Sequence, residues 1–172
     1  MTLKLITRRL SWALLLTIPL WFGCSKKDTD ITPSAASIQG SWRQFGYTID
    51  PAFDITGSGT KVTDILEAFK SVTGGAQFVD CYKSVTITFN ADGQITGTVS
   101  IACSGIDASI FGSTATWSAT GSKVKITEGA AVQEYDATIS GTTLKLSQTF
   151  VDDFDNDGKT ETATVSYAMT KV

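Results

Sequence analysis

From Ile38 onward, apolar and polar residues alternate along short runs that Gly, Asn and Asp interrupt. Alternation with a period of two predicts half-buried antiparallel strands that tight turns connect. Three turns can be placed, because the inward residues of two paired strands must lie on the same face of the sheet. They fall at Ala91-Asp92-Gly93, Gly121-Ser122 and Gly141-Thr142, where glycine supplies the backbone freedom of a hairpin turn.

The positions of these turns predict the register of each hairpin. The second hairpin turns residues 115–119 back onto 124–126, and the third turns 135–139 back onto 144–146. For the first hairpin, the predicted opposite pairs are Phe89 with Ile95, Ile87 with Gly97, and Val85 with Val99.

A first strand near 38–49 and a last strand at roughly 161–170, which pairs with 144–151, bring the count to about eight. Short turns join most of these strands, and each strand has one apolar face. A meander of this kind has to close on itself or fold over to cover its edges. The predicted fold is therefore all-β, an antiparallel up-and-down barrel of about eight strands.

One segment between the first two strands departs from this alternation. Its apolar residues between Val62 and Val72 recur at helical spacing, which predicts one short helix at about 64–73. Asp64 with Glu67 three residues later is typical of a helix start, and Gly74-Gly75 is typical of a stop. We expect this helix to cover the open end of the barrel.

The tripeptide Gly40-Ser41-Trp42 opens the first strand and resembles the Gly-x-Trp signature of the lipocalins. The resemblance covers residues 38–172 and is nearest to the lipocalin-like lipoprotein domains of Bacteroidetes. It implies that Trp42 packs across the closed base of the barrel, as a core residue rather than a binding residue. Two features depart from the family: Lys171 is the only basic residue near the end of the last strand, where lipocalins carry an Arg, and the sequence predicts no C-terminal helix.

The first 23 residues have the pattern of a secretory signal. A basic stretch with Lys4, Arg8 and Arg9 precedes an apolar run from Leu10 to Phe22, and this run is too short for a spanning helix of about 20 residues. The Gly23-Cys24-Ser25 sequence that follows resembles the lipobox of bacterial lipoproteins, in the looser form of the Bacteroidetes.

The lipobox resemblance implies that Cys24 is acylated and becomes the mature N-terminus. Two or three acyl chains make membrane attachment stable. Residues 24–37 are polar and lack an apolar period, which predicts a flexible tether. We therefore expect a lipoprotein of the cell envelope that is anchored to the outer membrane and is either periplasmic or surface-exposed.

Charge and composition exclude several classes of function. The net charge of −3 falls to −6 when the signal is removed, and an acidic chain is a poor partner for nucleic acid. The chain has no His, the commonest general base and transition-metal ligand, and no nucleophile elbow or zinc-ligand cluster. The sequence therefore predicts a protein that is not an enzyme, although carboxylates could still pair in space.

Two cysteines remain in the predicted domain, Cys81 and Cys103. The register of the first hairpin, when extended, places them directly opposite each other on the inward face. An exported protein is in an oxidising compartment where such a pair can persist as a disulfide. We expect a disulfide in preference to two buried free thiols.

An acidic motif, Asp-x-Asp-x-Asp-Gly, lies at the tip of the predicted last hairpin. Alternate carboxylates before a glycine suit a hard cation such as Ca²⁺, although the bidentate Glu of a helix-loop-helix site is missing. The alternative, an ordinary solvated turn, is slightly favoured, since Asp and Gly are common turn residues. The candidate ligands of a structural calcium ion are Asp153, Asp155, Asp157 and Glu161. No other cofactor is predicted.

Several inward positions carry small residues, which would leave a cavity that opens toward the helix at 64–73. Trp117, Tyr135 and Tyr167 could line it with apolar faces and two hydroxyl groups. The sequence thus favours a binding protein for a small apolar or amphipathic ligand. The alternative is an interaction or structural lipoprotein with a filled barrel, whose loops contact a protein or a glycan.

Overall fold

The computed structural model describes residues 33–103, 105, 109–112 and 114–172. The predicted signal segment, Cys24 and most of the predicted tether lie outside the described residues. Within these residues, none of the helices is long and apolar enough to cross a lipid bilayer.

The described chain is dominated by strands. It begins with a short helix and a long strand, α1 (Ala35–Ile38) and β1 (Gly40–Phe53), and continues with β2 (Val62–Asp64) and two helices, α2 (Ile65–Lys70) and α3 (Gly75–Ser84). The remaining strands are β3 (Thr86–Phe89), β4 (Ile95–Thr98), β5 (Thr116–Thr120), β6 (Lys123–Glu128), β7 (Ala131–Ser140), β8 (Thr143–Asp152) and β9 (Glu161–Lys171). A 3-10 turn, Ile101–Cys103, follows β4.

Eight of the strands form one antiparallel path in the order β4-β3-β1-β9-β8-β7-β6-β5, and β2 pairs with β1 beside it. The two ends of the path meet through two hydrogen bonds. The Ile95 N–H donates to the Ala115 carbonyl at 2.8 Å, and the Trp117 N–H donates to the Gly93 carbonyl at 2.8 Å. We call this junction the β4–β5 seam. The sheet is thus a nearly closed eight-stranded barrel, which confirms the predicted fold class.

The predicted register is confirmed in all three hairpins, except for one pair at the far end of the first. Phe89 pairs with Ile95 across β3 and β4, and Trp117 pairs with Ile126 across β5 and β6. The third hairpin and the pairing of β8 with β9 also follow the predicted alignment. The pairing of Val85 with Val99 is wrong, because the β3–β4 ladder ends at Thr86 and Thr98.

The connection between β1 and β3 contains two helices where the sequence predicts one. Helix α2 occupies most of the predicted span 64–73, and the Asp64 carboxylate accepts a hydrogen bond from the Glu67 N–H at 3.1 Å. Gly74 then adopts φ +78°, and α3 begins at the next residue. The Gly-Gly pair therefore ends one helix and opens another. At the other end of β1, residues 35–37 of the predicted tether are also helical, with Ser34 as the cap.

The disulfide between Cys81 and Cys103 is confirmed. Its structural context differs from the prediction, because Cys81 lies on α3 and Cys103 lies in the 3-10 turn after β4. The cysteines are therefore not opposite each other on a ladder. Their bond instead fastens the end of β4 to a helix that packs into the main core.

Trp42 closes one end of the barrel. Its side chain is 1 % exposed, and its indole N–H donates to the Ile38 carbonyl of α1 at 2.7 Å. The Lys171 ammonium lies 5.2 Å from the centroid of the indole ring. A lysine thus occupies the position over the tryptophan that the family resemblance assigns to an arginine.

The far end of β1 is covered by α2. Ile65 of this helix packs with Ile49 and Phe53 of β1 and with Ala163 and Val165 of β9 in a second apolar cluster. The two ends of the barrel therefore differ, since α1 and Trp42 close one end and the helices cover part of the other.

Candidate functional site

The barrel wall separates between β7 and β8. These strands pair only from their hairpin turn as far as Asp136 and Ser147. Beyond that point the first half of β7 stays paired with β6, while the second half of β8 stays paired with β9. The two half-strands therefore diverge, and an opening forms between them.

A cavity of about 360 Å³ lies behind this opening. Its volume is at the lower end of the range for small-ligand sites, about 300–1,000 Å³. Half of its described lining residues are aromatic and come from β1, β7, β8, β9 and the loop after β8. They are Tyr47, Tyr135, Phe150, Phe154 and Tyr167.

The remaining lining residues give the cavity its polar edge and its mouth. Val151, Asp152 and Gln133 are exposed, which places the mouth at the divergent ends of β7 and β8. Val165 is buried and lies deeper in the site. Ile110 contributes from the loop before β5.

Three tyrosines form an aromatic group inside the cavity. The Tyr167 ring stacks on Tyr47 with a centroid distance of 5.0 Å and meets Tyr135 edge-on at 6.2 Å. The Tyr135 hydroxyl donates a hydrogen bond to Oε1 of Gln133 near the mouth. The group therefore offers flat apolar surfaces together with phenolic hydroxyls, which is the combination that orients an amphipathic ligand.

The tyrosine hydroxyls carry no charge near neutral pH. Burial raises the pKa of Tyr47 and Tyr167 above the ordinary value of 10.0, and it raises the pKa of Tyr135 to about 12. A raised pKa favours the protonated phenol, so all three side chains remain neutral hydrogen-bonding groups throughout the physiological range.

Asp152 is the one charged residue among the described lining residues. Its carboxylate is at the mouth, where Oδ1 accepts a hydrogen bond from the Asp153 N–H at 2.9 Å. Lys and Arg side chains do not line the cavity in the part of the chain that the structure describes. The cavity therefore has an interior of aromatic rings with phenolic hydroxyls, and a negative edge.

The four carboxylates that the sequence singles out come together beside this mouth. Ligand atoms of Asp153, Asp155, Asp157 and Glu161 all lie within 4.8 Å of one another. We call this group the acidic cluster. Asp153 accepts hydrogen bonds from two backbone N–H groups of its own loop, and Glu161 accepts one from Phe154. Asp157 pairs with Lys159 at 2.9 Å.

Asp155 is the member of the acidic cluster with a free acceptor. Its Oδ1 atom is buried and has no hydrogen-bond partner among the described residues. A buried carboxylate oxygen without a partner is costly, because desolvation of the charge is not compensated. The geometry is thus compatible with a cation at this position.

Calcium binding by the acidic cluster stays a prediction, and thermal unfolding tests it. Millimolar Ca²⁺ is expected to raise the melting temperature, because a ligand that binds only the folded state stabilises that state. At ten times the Kd the gain is about 1.4 kcal/mol, or roughly 3–6 °C. Asp155→Ala should abolish the rise, whereas Asp80→Ala, an exposed change on α3, should leave it intact. If calcium does not change the melting temperature of the wild type, the loop is an ordinary turn and not a calcium site.

Two of the three residues that the sequence predicts as ligand-binding, Tyr135 and Tyr167, line the cavity. Trp117 lies elsewhere, in the main core, where its indole N–H donates to the Asn90 carbonyl at 3.0 Å and its ring meets Phe89 edge-on at 5.3 Å. Tyr47 is the aromatic lining residue of β1 that sequence reasoning missed. This cavity does not open toward residues 64–73, since α2 contributes none of its described lining residues.

Comparison with protein-family models gives one match. Residues 38–146 match a model described as a lipocalin-like domain. The matched segment contains Tyr47, Gln133 and Tyr135 of the cavity, whereas β9 with Tyr167 follows it. Searches of curated proteins and of solved structures gave no match.

Proposed function

Because the chain belongs to the lipocalin-like domain family, we propose that it is a binding protein that holds one small apolar or amphipathic molecule in the tyrosine-lined cavity. The observation that carries this proposal is the cavity of about 360 Å³ behind the diverging ends of β7 and β8. A barrel of eight strands either fills its interior with side chains or encloses one small ligand. The gap in the wall supplies an entrance.

The proposed role is binding without catalysis. The chain has no His, and the described cavity contains one carboxylate and three phenols whose pKa is raised away from neutrality. General acid–base catalysis works best with a group whose pKa is near the working pH. The lining is thus suited to holding a molecule in place.

A blocked mouth tests the binding proposal. An uncharged, environment-sensitive dye such as Nile red is expected to bind the protein, and Val151→Trp is expected to weaken binding at least about tenfold. Val151 lines the mouth and is 68 % exposed, so a bulky ring there obstructs entry without disturbing the core. The measurement is a fluorescence titration.

The matched control is Val99→Trp, an exposed valine that does not line the cavity. It should bind the dye as the wild type does. Equal binding by both variants would contradict the cavity as the binding site. No dye binding by the wild type would instead favour the other function, an interaction or structural lipoprotein that contacts a protein or glycan through its loops.

We further propose that the protein works while anchored in the outer membrane through an acylated Cys24. The support is the sequence alone: a basic start, an apolar run of about 13 residues and a Gly-Cys-Ser junction that resembles Bacteroidetes lipoboxes. Mass spectrometry of the mature N-terminal peptide should find Cys24 at the first position with acyl chains attached. An unprocessed N-terminus would contradict the anchor and would leave the ligand proposal untouched.

A further inference from the structure

We infer that the cavity selects amphipathic cations, molecules with an ammonium group on an apolar body, over anions of the same shape. This inference rests on the proposed binding function and concerns the chemistry of the ligand. It follows from three separate properties of the site: the charges around the mouth, the aromatic lining, and the unpaired acceptor atoms beside the cavity.

The charges around the mouth are predominantly negative. Asp152 lines the mouth itself, and the acidic cluster follows within the next nine residues of the chain. Lys159 pairs with one member of the cluster, and Lys61 acts on the same carboxylate from a distance. These two cations face five carboxylates, so the mouth keeps an excess of negative charge. A cleft lined by one sign of charge concentrates ligands of the opposite sign.

Glu128 adds to this field from the opposite side of the opening. It lies at the end of β6, and its charge contributes to the raised pKa of Tyr135. The carboxylates on the outer face of β6 and β7 contribute less negative charge, because Lys123 forms ion pairs with both Glu134 and Asp136 there. An anionic ligand would therefore have to approach past carboxylates on both β6 and the β8–β9 loop.

The lining behind the mouth also favours a positively charged ligand. Five aromatic rings are among the described lining residues, and the negative face of an aromatic ring attracts an organic cation. The neutral tyrosine hydroxyls can accept hydrogen bonds from an ammonium group. Within the described lining, a carboxylate or sulfate headgroup would find no Lys or Arg to pair with.

Two buried oxygen atoms near the site can accept hydrogen bonds but have no donor among the described residues. One is Oε1 of Gln148, a residue that pairs with the lining residue Val165 and comes two positions before Phe150 on the same face of β8. The other is Oδ1 of Asp155, next to the lining residue Phe154. Both lack a partner among the described residues. Buried acceptors of this kind are satisfied by a ligand or solvent that brings N–H or O–H donors.

Three probes with the same tail test this selectivity: octylammonium, octanol and octanoate, each below its micellar concentration. The intact chain carries Cys24→Ser, which prevents acylation, and EDTA keeps the acidic cluster free of metal. Each probe competes against Nile red. Octylammonium is expected to displace the dye at a concentration about tenfold lower than octanoate, a difference of about 1.4 kcal/mol, with octanol between them. Added salt should narrow the difference, since it screens the mouth charges.

Asp152→Asn should reduce the preference for octylammonium over octanoate about two- to fivefold, because it removes a carboxylate from the mouth. The matched control is Asp80→Asn, which makes the same change in net charge at an exposed site on α3. Equal effects of the two variants would overturn the assignment of selectivity to the mouth.

The two proposals fail in different ways. If neither the dye nor octanol binds, the proposed ligand-binding function is wrong. If the dye and octanol bind but octanoate binds as well as octylammonium or better, the function stands and the inferred preference for cations is overturned.

Discussion

Trp42→Ala is expected to lower the free energy of unfolding by about 3–5 kcal/mol, the usual cost of removing a large aromatic side chain from a core. The indole is 1 % exposed and belongs to the main apolar cluster, so its loss leaves a void at the base of the barrel. The change also removes the hydrogen bond to the Ile38 carbonyl, which ties α1 to β1. Urea unfolding followed by circular dichroism measures the effect.

Two control variants separate the contributions to this loss. Trp42→Phe keeps an aromatic ring and removes the indole N–H, so we expect a smaller cost that includes about 1–3 kcal/mol for the unpaired carbonyl. Lys171→Met keeps the length of the side chain and removes the cation over the ring, which should cost at most about 1 kcal/mol. A Trp42→Ala protein no less stable than Lys171→Met would contradict a structural role for the tryptophan.

The double variant Cys81→Ala/Cys103→Ala is expected to lower the free energy of unfolding by about 3 kcal/mol. The bond joins residues 22 positions apart, and in the chain-entropy model closing a loop of this size restricts the unfolded chain by that amount. Urea unfolding of the oxidised wild type, the reduced wild type and the double variant gives the comparison.

Reduction supplies an internal control for this prediction. A thiol reductant should destabilise the wild type to about the level of the double variant and should leave the double variant itself unchanged. If the reduced and oxidised wild-type proteins unfold at the same urea concentration, the disulfide does not stabilise the native state.

The hairpins could be predicted from the sequence because they depend on local information. A turn at Gly93, Gly121 or Gly141 fixes the register of two neighbouring strands, and a shift by one residue would turn every apolar side chain to the wrong face. A continuous β3–β4 ladder predicts the bond between Cys81 and Cys103 as well. The bond is present, but the ladder does not extend to Cys81, because α3 ends at Ser84 and β3 begins only at Thr86.

Helix α3 was missed because two signals in its sequence compete. Gly75 at its first position is typical of a helix stop, and it is buried against the preceding turn, where a side chain would overlap the Phe69 carbonyl. Phe78, Val79 and Tyr82 nevertheless recur at helical spacing, and Val79 and Tyr82 are buried in the main core. Packing of this apolar face decides the structure despite the weak helix start.

Tyr47 was missed because β1 contains a bulge. The register with β9 shifts between Gln44 and Gly46, so Phe45 is an extra residue and the inward face changes from even to odd positions. The change of face is visible in the sequence, because the large apolar residues of β1 that are buried pass from an even position, Trp42, to the odd positions Ile49 and Phe53. The divergence of β7 from β8 has no comparable local signal, because alternation fixes which residues face inward and does not say where pairing stops.

The disulfide and the β4–β5 seam have a joint consequence for how the barrel opens. Every other neighbouring pair along the barrel path is joined by a ladder, whereas the two hydrogen bonds at the seam lie near the β3–β4 turn. Among the described residues, no ladder with β5 continues along the rest of β4, and Cys103 fastens the chain just beyond it to α3. The disulfide therefore restrains the end of β4 that lies away from the seam, and its reduction is expected to increase local opening of the β3–β4 hairpin, which the seam hydrogen bonds still hold to β5. With both cysteines reduced, the protein would retain its seven ladders and lose the covalent restraint on β4, the strand whose junction with β5 has no ladder.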